Sequence, residues 1–147
     1  MTSTLKPFVK GVQAVLPKFE LLGEALEACG LECYASTRKD LELGHEWHFS
    51  GATLRLSIIH SHCDVYAGLY VEDDEDLTRF KLEADNGPNW KVSYFAPINE
   101  NSPIAKLREK IWALFPDASS GSNAIDLKDD STAIEVVKLM AAAFKKA

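Results

Sequence analysis

The chain has 147 residues, of which 46% are hydrophobic and 26% charged, and its formal net charge is −6. This length suits one domain with a core of its own, and this composition excludes an intrinsically disordered chain. The sequence contains no apolar run of the roughly 18 residues that a membrane-spanning helix needs, and its acidic balance disfavours direct binding to a nucleic-acid backbone. We therefore expect a single domain over residues 1–147 that binds neither membranes nor nucleic acids.

The three cysteines, Cys29, Cys33 and Cys63, are an odd number without a paired framework. Such a set indicates reduced thiols that act as small apolar side chains. The first residues also lack the basic start and continuous apolar core of a signal peptide. Both observations predict a cytoplasmic protein.

The N-terminal segment predicts an amphipathic helix over residues 7–28, because its apolar residues recur at helical spacing. Pro17 removes a backbone donor and clashes with the preceding turn, which predicts a kink or a break. Gly30 is a natural C-terminal stop. The apolar stripe contains Phe8, Val12, Val15, Leu16, Phe19, Leu22 and Leu26.

The hydrophobic period then changes from helical to alternating. Leu31–Thr37 is a short strand candidate, and residues 41–50, 53–58 and 65–71 each place apolar side chains at every second position. Short turn sequences separate these segments. Three consecutive strands with short links indicate an antiparallel meander.

Two further strands are predicted to complete the sheet. Asp76–Ala84 is compatible with the start of a helix, but its alternation favours a strand. Asp85–Pro88 is a strong turn signal, and residues 90–96 alternate again, which indicates a hairpin.

The last third of the chain predicts two helices. Ser102 can cap the first, with Pro103 in the first turn, where a missing N–H costs nothing. Ala124–Leu127 is a possible short strand between the helices. Thr132 and Glu135 fit a capping box for the last helix.

The order of elements predicts an α+β fold. It is a two-layer sandwich, in which an antiparallel meander sheet of about five strands is covered on one face by an N-terminal helix and two C-terminal helices. Trp47 and Trp90 alternate inward and are expected in the core, whereas Trp112 lies just off its helix stripe, a position that favours exposure.

The acidic side chains are concentrated in one part of the chain. Residues 41–76 contain eight acidic side chains and one basic one, Arg55. On a meander they can share one surface, which would attract a basic protein partner. The predicted partner-binding residues are Glu42, Glu46, Asp64, Tyr66, Tyr70, Glu72, Asp73, Asp74, Glu75 and Asp76. Two alternatives remain open. The acidic residues also fit a solvated loop that keeps the neighbouring apolar strand from aggregating, and the tyrosines also fit ordinary strand residues on the outer face of the sheet.

An enzymatic alternative centres on the residues near the second turn of the meander. His60 and His62 are two residues apart and therefore share a face of a strand, so with Asp64 they could bind a metal ion. Cys63 lies between His62 and Asp64 in the sequence, so a catalytic Cys–His pair is a second form of this alternative. Apart from this alternative, the sequence implies no metal, no cofactor and no catalytic residue.

In outline, the size, acidity and order of helix, sheet and helices resemble those of the small dimeric chaperones that serve bacterial secreted effectors, and of the acidic immunity proteins that neutralise toxins. The acidic segment, the possible face of Tyr66 and Tyr70 and the lack of a catalytic motif predict a protein-binding module such as an inhibitor, an immunity protein or an adaptor, rather than an enzyme. An exposed edge strand could also support a homodimer.

Overall fold

The chain forms three helices and seven strands within the residues that the structure describes. A computed structural model provides the coordinates of residues 5–33, 35–37, 41–49, 52–61, 64–73, 78–85, 89–95, 102–118 and 123–144. No helix in these residues is long and apolar enough to cross a membrane.

The first helix, α1, spans Leu5–Ala28 and continues through Pro17, so the predicted break does not occur. Pro17 is exposed, which allows water to reach the carbonyl group that the missing N–H leaves without a partner. The predicted stop at Gly30 is confirmed: its φ of 86° is left-handed. The Leu31 N–H donates to the Leu26 carbonyl at 3.2 Å, which closes the C-terminal turn.

The sheet is antiparallel throughout its described strands, and its spatial order follows the chain. The predicted meander is confirmed, including a strand rather than a helix before Ala84. The short strands at its two ends extend it to seven. The strands are β1 (Ala35–Thr37), β2 (Leu41–Phe49), β3 (Ala52–Ser61), β4 (Asp64–Asp73), β5 (Thr78–Ala84), β6 (Trp90–Phe95) and β7 (Ala124–Leu127).

One face of the sheet, here called the inner face, packs against the helices and forms the core. Helix α2 spans Pro103–Trp112 and helix α3 spans Asp130–Phe144. Helix α1 lies so close to β4 that a Cβ atom added at Gly11 would be 2.8 Å from Val65 Cγ2. The fully buried side chains of the core include Leu54, Leu56, Leu69, Phe80, Leu82, Trp90, Ile104, Ile111, Leu127 and Met140.

Both C-terminal helices begin at side-chain caps. The predicted cap of α2 is confirmed, because the Ala105 N–H donates to Ser102 Oγ at 3.1 Å. Helix α3 begins earlier than the capping-box prediction placed it. The Thr132 N–H donates to Asp129 Oδ1 at 2.7 Å, so Asp129 caps this helix and Thr132 lies within its first turn.

Two tryptophans, Trp90 and Trp112, make contacts between the helices and the sheet. Trp112 is only 8% exposed and meets the Phe80 ring edge-on, with 6.4 Å between centroids, so its predicted exposure is wrong. Trp90 is fully buried as predicted, and its indole N–H donates to Asp130 Oδ1 at 2.9 Å. Lys18 Nζ lies 2.7 Å from the same carboxylate oxygen, so one aspartate joins α1, β6 and α3.

Candidate functional site

The opposite face of the sheet, here called the outer face, forms a broad open trough of about 1540 Å³. Strand residues and their immediate neighbours line it, and no residue of the three helices does. The trough therefore exists because the meander is covered by helices on one side only. Its lining includes Arg55, Tyr66, Arg79, Glu83, Phe95 and Asp126. We call this surface the outer trough.

Tyr70 lies in the centre of the outer trough and is held closely by its neighbours. Its ring lies over Gly68, where an added Cβ atom would be 2.6 Å from the phenolic oxygen. The hydroxyl group donates to Glu83 Oε2 at 2.9 Å, and the Arg55 guanidinium carbon lies 5.9 Å from the ring centroid. Tyr70 is 7% exposed. It is on the outer face, as the sequence pattern predicts, but its ring is buried against the sheet.

Tyr66 lies at one end of the outer trough, among carboxylates. It is partly exposed, and its hydroxyl is hydrogen-bonded to Asp64. Partial desolvation and the negative charges of Asp64, Glu83 and Asp85 raise the pKa of the Tyr66 phenol. The phenol therefore stays protonated at neutral pH, where it can donate a hydrogen bond, and its ring lies in a negatively charged environment.

The outer side of β5 and the residue that follows it, Asp85, carry charges in two blocks. Arg79 and Lys81 come first, and Glu83 and Asp85 follow, with each of the four side chains lining the trough. Lys81 Nζ lies 3.6 Å from Glu83 Oε1, where the two blocks meet. Across the β4–β5 pairing, Glu72 is opposite Arg79. The trough thus has carboxylates near Tyr66 and cations further along β5, although Lys91, which also lines it, is opposite Glu83 in the β5–β6 register.

The structure brings some of the predicted partner-binding residues together. Asp64, Tyr66, Tyr70 and Glu72 occupy alternate positions of β4, with Gly68 between the tyrosines, and three of the four line the trough.

The other predicted residues are placed only in part. Glu42 pairs with Ser57 in the backbone register, and Glu46 falls where the β2–β3 register shifts. Asp73 ends β4. Asp74, Glu75 and Asp76 lie outside the described residues.

Sequence reasoning missed the contribution of β5 and β6. Arg79, Glu83, Asp85 and Phe95 were not among the predicted site residues, although all four line the trough, and Phe95 is 63% exposed. The available signal was the strict alternation of charged residues in β5. The net charge of one contiguous segment does not reveal this alternation, because a meander brings together residues from separate segments of the chain.

The residues of the enzymatic alternative are only partly described. His60 pairs with Val65 in the β3–β4 register, whereas His62 and Cys63 lie outside the described residues. Within the described part of the chain, no group of three or more histidine, cysteine, aspartate or glutamate side chains is arranged to hold a metal ion. Cys33 is half-buried, and burial, followed by the nearby charge of Glu27, raises the pKa of its thiol.

Comparison with known proteins gives no relative: no protein-family model matches the chain, and neither a curated protein nor a solved structure does. The geometry and chemistry of the outer trough are therefore the basis on which we infer a function.

Proposed function

We propose that this protein is a non-enzymatic protein-binding module that docks a partner protein in the outer trough. In this proposal, basic side chains of the partner contact the acidic end, where Glu83 and Asp85 line the trough and Asp64 is hydrogen-bonded to Tyr66. An inhibitor, an immunity protein and an adaptor all act through such a contact. The observation that carries the proposal is the helix-free trough on one face of an otherwise well-packed sheet.

The size and openness of the outer trough favour a polypeptide over a small molecule. Pockets for small ligands enclose about 300–1,000 Å³ and bury most of the ligand surface. The outer trough has a volume of about 1540 Å³ and is open along the sheet. A small molecule would leave most of this surface wet, whereas a segment of another protein could cover it.

The chemistry of the lining also favours a protein partner. Protein interfaces combine exposed aromatic side chains with a charged rim. Phe95 is 63% exposed and Tyr66 is partly exposed, while charged residues of β5 lie between them. The carboxylates near Tyr66 can accelerate encounter with a basic partner, an effect that salt screens.

Site-specific photocrosslinking in the cells that make the protein tests this function. A photoreactive amino acid replaces Phe95 in the trough, and in a second strain it replaces Lys110, which is exposed on α2. We expect a discrete adduct with another protein from position 95 and none of that mass from position 110. Equal adducts from both positions, or none from position 95, would contradict the proposal.

A charge-reversal pair tests the acidic end in the same assay. Asp64→Lys combined with Asp85→Lys should reduce the adduct from position 95 several-fold, because it reverses the charge beside Tyr66. The matched control is Glu20→Lys combined with Glu24→Lys on the exposed side of α1, which changes net charge equally. Equal loss with both pairs would show that only overall charge matters.

A further inference from the structure

We propose that two copies of this chain associate through helix α1, which carries an exposed apolar seam that matches itself under a two-fold rotation. The seam consists of Leu5, Val9, Val12 and Leu16. In the associated pair the two α1 helices lie antiparallel, with the two-fold axis between residues 10 and 11. No helix residue lines the outer trough, so this inference does not depend on the proposed function.

The first observation is the exposure of the seam. Leu5 is 67% exposed, Leu16 is 43% exposed and Val9 is 42% exposed, whereas Val12 is partly buried. Five large apolar side chains are exposed in the described part of the chain, and three of them therefore lie on this one helix. Single exposed apolar residues are ordinary, but a contiguous apolar patch marks an interaction site.

The seam is separate from the side of α1 that packs in the core. Successive helix residues are about 100° apart, so the four seam residues fall within about 60° of one another. They lie about a quarter turn from Val15, Leu22 and Leu26, which are fully buried. The steps between the seam residues are four, three and four, which is the spacing of a coiled-coil contact.

The order of side chains makes the seam self-complementary. Its residues are leucine, valine, valine and leucine, and both the residue types and the steps between them read the same in either direction. In an antiparallel pair, Leu5 of one copy lies opposite Leu16 of the other, and Val9 lies opposite Val12. A two-fold interface needs a patch of this kind, because the same surface supplies both sides of the contact.

Charged residues beside the seam fit the same arrangement. Lys6 and Glu20 are exposed on one side of the seam, and within the described residues neither forms an ion pair. In the antiparallel pair, Lys6 of one copy lies about 7.5 Å along the helix axis from Glu20 of the other. Helical side chains lean towards the N-terminus, so these two lean towards each other. The contact occurs twice in the pair.

The position of Lys6 favours a carboxylate from a second copy. Lys6 lies in the first turn of α1, which contains no acidic residue. The helix dipole disfavours a cation there, and Glu20 of the other copy offsets this effect. A parallel pair would instead bring the two Lys6 side chains together.

The length of the seam sets the expected affinity. Leu5–Leu16 spans about 18 Å of helix, which is too short to bury the roughly 800 Å² per partner of a standard interface. We therefore expect a weak dimer with a Kd of about 10 μM to 1 mM.

Sedimentation equilibrium of the full chain, up to near-millimolar concentration, tests the seam. Leu16→Glu should weaken dimerisation at least about tenfold, because it places two carboxylates in an apolar contact. The matched control is Ala14→Glu, which is exposed about 160° around α1 from Leu16 and should keep the wild-type affinity. Wild-type protein that stays monomeric, or equal weakening by both substitutions, would overturn the inference.

A mixing experiment tests the antiparallel register and avoids apolar positions. Lys6→Glu and Glu20→Lys should each weaken dimerisation about fivefold, because both ion pairs become repulsions. An equimolar mixture of the two variants should regain the wild-type affinity, since each chain then complements the other. A folding defect would not be repaired by mixing. If neither variant weakens the dimer, or if the mixture does not restore it, the antiparallel pair is wrong.

The crosslinking assay separates this inference from the proposed function. A dimer through α1 leaves the outer trough of each copy open, so the adduct from position 95 should persist in Leu16→Glu and in Glu20→Lys. A persistent adduct together with a monomeric wild type would overturn the dimer alone. Loss of the adduct in both variants would show that α1 belongs to the docking surface, and it would overturn the assignment of the seam to a second copy.

Vesicle binding tests a membrane as the other occupant of the seam. An amphipathic helix can lie on a bilayer, but Glu20, Glu24 and Glu27 are exposed on α1 and are repelled by anionic lipids. We therefore expect no co-sedimentation with vesicles of phosphatidylcholine and phosphatidylserine. Binding that Leu16→Glu abolishes would assign the seam to a membrane surface and overturn the proposed pairing of two chains.

Discussion

At the scale of single residues, Gly68 decides how the centre of the outer trough is built. A side chain here would meet three atoms of the molecule. An added Cβ would lie 2.6 Å from the Tyr70 hydroxyl oxygen, 2.7 Å from its Cζ and 2.9 Å from the Leu82 carbonyl oxygen. The first two atoms can move with the tyrosine ring, but the third belongs to the neighbouring strand. Glycine therefore allows the Tyr70 ring to lie over position 68 and its hydroxyl group to reach Glu83.

We expect Gly68→Ala to lower the free energy of unfolding by about 1–3 kcal/mol, the usual effect of inserting a methyl group into a packed site. Part of this cost comes from displacement of Tyr70, so Gly68→Ala should cost less in a Tyr70→Ala background. Denaturant unfolding of wild type, Gly68→Ala, Tyr70→Ala and the double variant gives the cost of Gly68→Ala in each background. Equal costs in the two backgrounds would show that the Leu82 carbonyl alone causes the strain.

Gly23→Ala is the matched control for this substitution. Gly23 is buried in α1, but an added Cβ would lie 3.8 Å from Leu56 Cδ2, an ordinary contact. Alanine is favoured over glycine in a helix by about 1 kcal/mol, so this variant should be as stable as wild type or more so. The contrast separates lack of space at Gly68 from a general effect of replacing glycine.

At the scale of elements, Asp130 is the junction between the helices and the sheet. Its carboxylate accepts from Trp90 and pairs with Lys18 at 2.7 Å. These two hydrogen bonds, Lys18 first, lower the pKa of Asp130. Asp129 also has a lowered pKa, through its bonds to Thr132, so both carboxylates respond to acid in the same direction.

The lowered pKa of Asp130 determines how its contribution to stability changes with pH. A carboxylate with a lowered pKa in the folded state binds protons more readily when the chain is unfolded. Its stabilisation is therefore complete above the unfolded pKa of about 3.9 and is lost as the pH falls through the folded value. We expect the difference in unfolding free energy between wild type and Asp130→Asn to shrink between pH 5 and about pH 2–3. A constant difference over that range would contradict the ion pair.

A second substitution at the same position separates charge from hydrogen bonding. Asparagine can still accept from the Trp90 indole, and because Asp130 is largely exposed, loss of its charge should cost no more than about 1 kcal/mol. Asp130→Ala leaves a fully buried indole N–H without its acceptor, for which we expect about 1–3 kcal/mol. In denaturant unfolding at pH 7, Asp130→Ala should therefore have a lower free energy of unfolding than Asp130→Asn.

The elements also show which parts of the fold were predictable. The strands were found because apolar residues at every second position mark a sheet with one buried face, and Gly30 and Ser102 ended or began helices as their chemistry predicts. The start of α3 was misplaced because Thr132 and Glu135 imitate a capping box, while Asp129 supplies the cap. Trp112 was misjudged because its position relative to a helix stripe does not reveal that Phe80 lies opposite.

At the scale of the whole molecule, the candidate site depends on strand pairing, which the sequence does not state. The predicted site residues came from one acidic segment, and Asp64, Tyr66 and Glu72 of that set do lie on the outer face. The partners that complete the trough, among them Arg79 and Phe95, come from β5 and β6. Their importance appears only when β4, β5 and β6 are placed side by side, because period-2 patterns give the face of a residue but not its neighbours.

The open sheet also predicts how stability is distributed. Strand β4 is paired on both sides, and Ala67, Leu69 and Val71 are fully buried on its inner face. Strand β7 is paired with β6 on one side and is an edge of the described sheet. Amides in a doubly paired central strand open only with most of the molecule, whereas an edge strand can separate locally.

Native-state hydrogen exchange should therefore show β4 amides at least about tenfold more protected than those of Ile125, Asp126 and Leu127. Val92 on β6, which is flanked by β5 and β7, should resemble β4. Equal protection of β7 would mean that a further segment covers this edge, because one row of partners cannot hold it so firmly. If that protection rises with protein concentration, the covering segment comes from a second copy, and the edge rather than the outer trough joins the two molecules.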